Sequence, residues 1–375
     1  MRFGLIFGVF RRLASCMGMC VAMCVGMCVA SCAPSLPRQY VEAKAAGHRA
    51  YSSGRYDESA LHFHDAASKA SRRKDRDDVL FLEAAAKQRG GRYREAQASY
   101  EAIVALSPNG RRAAAAAHES AKLELRYGDA QKGWEMVHAV IQRYPNSGVA
   151  LPALQRYLRH YDDTLGLEQT IAYLDGRAEW FDAHGLGEMA SYERAKRLEK
   201  LGRLQEAHDG FLACARAHLY PRGALFDDAM YRVSLIDEML GRPREAVEHL
   251  REMLSYRERS TLHGSYERPR FSAAQMRIAE LYRDALGDPD QARREFRKLF
   301  DSFKTSVLRD DALWSEALVA WGQGDKKGAC DAVNLLVREL PESRYAPCAR
   351  MLCEDASVLD KPRECRNYIA GGVGR

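Results

Sequence analysis

Residues 91–108 read GRYREAQASYEAIVALSP, and the spacing inside that stretch decides the fold. Gly91 is followed five residues on by small Ala96, nine on by large Tyr100 and twelve on by branched Ile103. Those offsets differ by four and three, which puts the three side chains on one helical face. Glycine takes a positive φ at little steric cost, so Gly91 suits the end of a preceding helix. The same marks recur after Gly54, Gly128, Gly202, Gly241, Gly287 and Gly324. The small position holds Ser59, Gly133, Ala207, Ala246, Ala292 and Ala329, and the bulky one Phe63, Val137, Phe211, Leu250, Phe296 and Val333. The third position holds Ala66, Val140, Cys214, Met253, Leu299 and Leu336. From Gly54 the glycines step by 37, 37, 74, 39, 46 and 37 residues, and the doubled step hides a weak unit around Gly166. Seven residues before most of the glycines stands another small residue: Gly47, Ala84, Ala121, Ala195, Ser234 and Ala317. Small residues on both helices let two backbones approach. The pattern therefore predicts an all-α superhelical solenoid of about eight helical hairpins, each burying its face on its neighbours.

The openings Gly54-Arg55-Tyr56-Asp57-Glu58 and Gly91-Arg92-Tyr93-Arg94-Glu95-Ala96 resemble the start of the second helix of the tetratricopeptide repeat. Pro108, Pro145 and Pro341 stand at that family's closing proline, and the resemblance covers roughly residues 38–350. The dominant period of 37 exceeds the family's usual length of about 34. Pro243 and Pro289 fall at the starts of second helices, where proline is tolerated. The endings Tyr144-Pro145-Asn146-Ser147 and Leu340-Pro341-Glu342-Ser343 are similar to those of periplasmic repeat proteins, including the lipoproteins of outer-membrane barrel assembly. The resemblance implies a concave groove, lined by the first helix of each hairpin, that binds peptides or protein surfaces. Its inward positions fall on Arg89, His118, Lys122, Arg126, Tyr192, Lys196, Lys200, Tyr231, Trp314 and Trp321. Lys122 with Arg126 and Lys196 with Lys200 share faces, and a partly basic groove favours an acidic or C-terminal carboxylate ligand. The family's carboxylate-clamp asparagine is missing from the matching positions. Packing against a neighbouring hairpin is the rival role for the two tryptophans, and a solvated face the rival role for the basic residues.

The start of the chain reads differently. Arg2, Arg11 and Arg12 are the only charges before Arg38, and residues 13–31 are all apolar or small. Basic start, apolar run and small-residue end describe a secretory signal over residues 1–31. Cysteines at 16, 20, 24, 28 and 32 recur at helical spacing, but the run offers no polar shell for a metal, and they read as small hydrophobes. Val29-Ala30-Ser31-Cys32 resembles the lipobox of bacterial lipoproteins, which implies cleavage before Cys32 and a lipid (palmitate-bearing) anchor on it. Ala33 follows rather than an inner-membrane-retaining aspartate, so the expected place is the outer membrane, facing the periplasm, with inner-membrane anchoring as the alternative. The expected layout is a signal peptide over 1–31, a linker over 32–39, the repeat array over 40–350 and a cysteine-containing cap and tail over 351–375.

Losing residues 1–31 removes three arginines and no acid, lowering the formal charge from +6 to +3, too mild for a nucleic-acid footprint. No G-x-x-x-x-G-K-[ST], H-E-x-x-H or G-x-S-x-G occurs, so no enzyme, cofactor or metal is expected. His62 and His64 point to different faces of a helix, and His160 beside Asp162 and Asp163 reads as solvated surface. Cys214 falls at an inward repeat position and reads as a buried thiol. Cys330, Cys348, Cys353 and Cys365 are an even set in an oxidising compartment, which suggests two disulfides among three possible pairings. The long step hides an insertion at 256–270, polar and arginine-rich, and a loop of that length suggests a contact role or a passive solvated one. The expected function is a lipid-anchored scaffold for protein partners in the bacterial envelope. The alternative is a periplasmic sensor or binder of a small ligand or cell-wall glycan.

Overall fold

The computed structural model describes residues 36–257, 268–356 and 364–370. The predicted signal peptide, the Cys32 anchor, most of the 256–270 insertion and parts of the tail lie outside the described residues. The described chain is helical throughout, with no strand among those residues. It divides into two units, Met1–Tyr157 and Leu158–Arg375.

In the first unit, hairpins pair α1 (Arg38–Ser52) with α2 (Tyr56–Lys69), α3 (Arg73–Arg89) with α4 (Tyr93–Leu106), and α5 (Ala113–Tyr127) with α6 (Ala130–Arg143). The first half of α7 (Ala150–Leu165) closes it. The face read from the sequence is the buried one: Phe63, Ala66, Ala96, Tyr100, Ile103, Val137 and Val140 are all 2% exposed or less. Small residues sit where helices touch. A β-carbon on Gly47 would lie 2.6 Å from the Phe63 ring, and one on Gly133 2.8 Å from the Leu125 backbone nitrogen.

The second unit continues from the rest of α7 through α8 (Leu167–Asp175), the short α9 (Ala178–Ala183), and the pairs α10 (Gly187–Lys200) with α11 (Leu204–Ala217) and α12 (Phe226–Met239) with α13 (Pro243–Ser255). It ends with α14 (Pro269–Asp284) against α15 (Pro289–Ser302), α16 (Arg309–Gly322) against α17 (Lys326–Glu339), and α18 (Asn367–Ala370). Phe211, Phe226, Met230, Leu250, Met253, Ile278, Phe296 and Leu299 belong to one continuous core. Each fully buried side chain of this size contributes about 1.5–3 kcal/mol relative to exposure.

Gly54, Gly91, Gly202, Gly241, Gly287 and Gly324 all have φ between +63° and +81°, and the weak unit's Gly166 is also positive at +88°. Gly128 departs from the rule with φ −123°. There α5 runs to the residue just before the glycine, and Asp129 caps α6 with a carboxylate that accepts from the Lys132 amide at 3.0 Å. Asp162 also departs from expectation. It is not solvated surface: both of its oxygens accept from Arg197 (2.7 and 2.8 Å), whose side chain is 3% exposed.

The C-terminal region resolves the cysteine question. Cys330 on α17 pairs with Cys353, and Cys348 pairs with Cys365. Cys348, Leu352, Ala356 and Ile369 join Leu313, Leu336 and Val337 in a separate core, so the tail packs over the last hairpin. Cys214 is free and buried, and burial pushes its thiol up to about 11.

Candidate binding groove

Helices α3 and α5 present successive turns to the same space in the first unit. Phe81, Ala85 and Gln88–Arg89 come from α3; Glu119, Lys122–Leu123 and Arg126 come from α5. Steps of three and four carry each set along one face. Tyr51 of α1, Tyr93 and Tyr100 of α4, Trp134 of α6 and Arg156 of α7 complete a cleft of about 990 Å³.

The floor is a hydrogen-bonded chain. The Tyr100 hydroxyl donates to Gln88 Oε1 at 2.9 Å, and Gln88 Nε2 donates to Glu119 Oε2 at 3.5 Å. Lys122 Nζ donates to both Glu119 oxygens at 2.8 and 3.0 Å. Burial holds the Tyr100 phenol well above its ordinary pKa, so it stays a donor. Burial, with Lys122 beside it, pulls the His118 imidazole below its ordinary value and keeps it neutral near pH 7.

The walls are aromatic and cationic. Tyr93 and Tyr127 stack with centroids 3.7 Å apart and planes 9° off parallel, and Arg126 lies 5.4 Å over the Tyr127 ring. Glu119 neutralises Lys122, but no carboxylate among the described residues pairs with Arg89, Arg126 or Arg156. Three guanidiniums thus share a cleft with one carboxylate that is already engaged. Arginine's planar fork and stacking suit it to a bound carboxylate.

The residues predicted for the groove divide. Arg89, Lys122 and Arg126 line this cleft, and His118 sits beside Lys122. In the second unit Tyr192 is buried against Phe211 and accepts from Arg232 Nε at 3.1 Å, while Lys196 pairs with Glu193 at 2.9 Å. Tyr231 lies under Arg270, and Lys200 is exposed. Trp314 is no groove residue: it is 5% exposed and stacks on Tyr345, and Trp321 packs against the same C-terminal core. The sequence pattern does not mark Tyr93 and Trp134 as groove residues because they stand near the starts of second helices, whose repeat positions point into the core between helices. It missed Arg156 because the repeat register fades in the fourth hairpin. Phe81 was in reach, since it lies eight residues before Arg89 on the same face.

Serial antiparallel hairpins turned on positive-φ glycines, with a cleft between first helices, define an α-helical repeat protein. Residues 273–306, the α14–α15 hairpin, match the tetratricopeptide repeat family. The same kind of helical hairpin recurs along the described residues on both sides of that match. No curated protein sequence matches it. Similar solved structures include a tetratricopeptide repeat protein from Parabacteroides merdae (12% identity, 75% of this chain and 99% of that one, TM-score 0.34). Another is PilW, described as a widely conserved type IV pilus biogenesis factor (17% identity, 63% and 98%, TM-score 0.37). A third is YrrB, described as a tetratricopeptide-repeat protein with an unusual peptide-binding site (15% identity, 58% and 99%, TM-score 0.36).

Proposed function

We propose that this protein is a lipid-anchored scaffold of the bacterial envelope that holds an acidic segment of a partner protein in the first-unit groove. Tetratricopeptide-repeat proteins mediate protein–protein interactions, and the observation that carries the specific reading is the set of uncompensated arginines, Arg89, Arg126 and Arg156, among stacking aromatics. An extended peptide with acidic side chains or a free C-terminal carboxylate supplies the missing negative charge. The aromatic rings supply sequence-tolerant contact area at low entropic cost.

Two observations support the extracytoplasmic setting. The Val29-Ala30-Ser31-Cys32 lipobox follows an apolar run, and disulfides such as Cys330–Cys353 and Cys348–Cys365 persist in oxidising compartments. Lipid on Cys32 holds the repeats at the periplasmic face of the outer membrane, where they support assembly of an envelope complex. Metabolic palmitate labelling of the wild type against Cys32→Ala tests the anchor: label on the wild type alone is expected, and equal label on both ends that part of the reading. Fluorescence anisotropy with acidic, neutral and basic peptides tests the groove. Saturable binding confined to the acidic set is expected, and binding that ignores peptide charge refutes the groove assignment.

A further inference from the structure

Three side chains from successive helices of the second unit meet. His208 comes from α11, Asp237 from α12 and His249 from α13. Asp237 is a buried carboxylate, 1% exposed. Its side-chain contacts are two imidazoles: His249 Nδ1 at 2.7 Å from Oδ2 and His208 Nε2 at 3.2 Å from Oδ1. No arginine or lysine among the described residues pairs with it. The three candidate ligand atoms lie within 4.8 Å of one another.

The tautomer of His208 makes the arrangement informative. Its Nδ1 lies 2.9 Å from Asp209 Oδ1, so Nδ1–H donates outward to that carboxylate. In the neutral ring Nε2 is then a bare lone pair. It is buried, it makes no hydrogen bond, and it faces a carboxylate oxygen. Two acceptors confronting each other in a buried space need a positive species between them. An imidazole oriented by a carboxylate on its other nitrogen is also the usual support for a metal-binding histidine.

We propose that His208, Asp237 and His249 bind a divalent transition metal of the zinc class, through Nε2, a carboxylate oxygen and Nδ1, with a fourth position left to water. Two imidazoles and one carboxylate are a borderline-soft donor set suited to zinc over magnesium or calcium. Bonds of about 2.0–2.1 Å at tetrahedral angles set neighbouring ligand atoms about 3.3 Å apart. The His208–Asp237 pair is already at 3.2 Å. The His249–Asp237 pair, at 2.7 Å, opens by about 0.6 Å to reach that tetrahedral spacing. His249 is the partly exposed member, with 17% of its side chain accessible, so it has room to move and gives the ion a way in. Bridging both helices of one hairpin to the second helix of the hairpin before it, the ion clamps two repeats together. This assignment is independent of the groove reading.

The test uses the full chain with its disulfides intact, dialysed against Zn²⁺, Co²⁺ or Mg²⁺. About one zinc per chain and a thermal midpoint raised by a few degrees with zinc, but not magnesium, are expected. Cobalt should give visible bands of nitrogen–oxygen coordination without the near-ultraviolet band that cysteine thiolate ligation would produce. His208→Gln and His249→Gln should each weaken binding at least tenfold and abolish the zinc-dependent shift. His249→Gln, at the accessible edge, preserves the fold, as circular dichroism would verify. Absence of zinc stabilisation in the wild type, unchanged zinc content in His249→Gln, or a thiolate-dominated cobalt spectrum would each overturn the assignment.

Discussion

In the first unit Arg89, Arg126 and Arg156 face a cleft whose one carboxylate is already bound to Lys122. In the second, basic residues on the corresponding helices meet acids of their own chain. Lys196 and Arg197 meet Glu193, Arg232 meets Glu199 at 2.6 Å, and Arg277 meets both Glu238 and Glu280. The same residue types at similar repeat positions thus do two jobs. Cations paired within the chain stiffen a stack, while cations left without partners keep their charge for another molecule. Counting lysines and arginines along a helix face does not separate the two, because some of the deciding acids, such as Glu199 for Arg232 and Glu238 for Arg277, come from other helices.

The sharpest break of this contrast is at the buried arginine of the second unit. Asp162→Ala leaves Arg197 with Glu193 alone and should destabilise that unit by about 3–5 kcal/mol. Native-state hydrogen exchange read separately for α10 and for α3 would show it, with α3 unaffected. A loss under about 1 kcal/mol would mean that Arg197 is not dependent on its internal acids.

Removing the Cys330–Cys353 bridge, which closes a 23-residue separation, should cost about 3 kcal/mol of C-terminal stability. Chemical denaturation of Cys330→Ser/Cys353→Ser measures it, and groove binding should persist.

For the first unit, Arg89→Glu with Arg126→Glu should weaken an acidic peptide about 100-fold, equivalent to about 2.7 kcal/mol. Lys196→Glu in the second unit should change the same affinity less than about twofold. Equal losses by anisotropy would erase the distinction between the units.

The smallest effect is in alkali. Burial, then its bond to Asp311, pushes the Tyr345 phenol up to about 12. The unfolded phenol ionises near 10, so the folded state retains the proton longer. This contribution is full below pH 10 and is lost as pH climbs through 12. Tyr345→Phe keeps the ring stacked on Trp314 and should flatten the fall in stability across that window, as alkaline unfolding curves would record.

The fold was legible because the repeat writes the same three apolar offsets after each glycine. Phe63, Tyr100, Phe211, Leu250 and Phe296 are buried where that spacing placed them. The exception at Gly128 followed from Asp129, whose capping bond replaces the glycine turn. The groove was half legible. Arg89, Lys122 and Arg126 follow from first-helix positions, whereas Tyr93, Trp134 and Arg156 arrive from helices where the periodicity is silent about direction. Trp314 misled because a large aromatic at an inward position also serves a terminal core, and there the stapled tail covers it. The His208–Asp237–His249 cluster has no local motif, since its members sit on three helices and meet only when hairpins stack.

Arg257 lies 3.7 Å over the Phe303 ring and donates to the Ser302 carbonyl, while Arg268 donates to Asp227 Oδ1 at 2.6 Å. These two arginines are anchored points near the two ends of the 256–270 insertion. For a flexible connection in general, each doubling of length adds only about 0.6 kcal/mol of closure entropy. An epitope or a fluorophore inserted between these two anchored arginines should therefore cost the repeats little, and an unchanged circular dichroism spectrum would record that their register is kept.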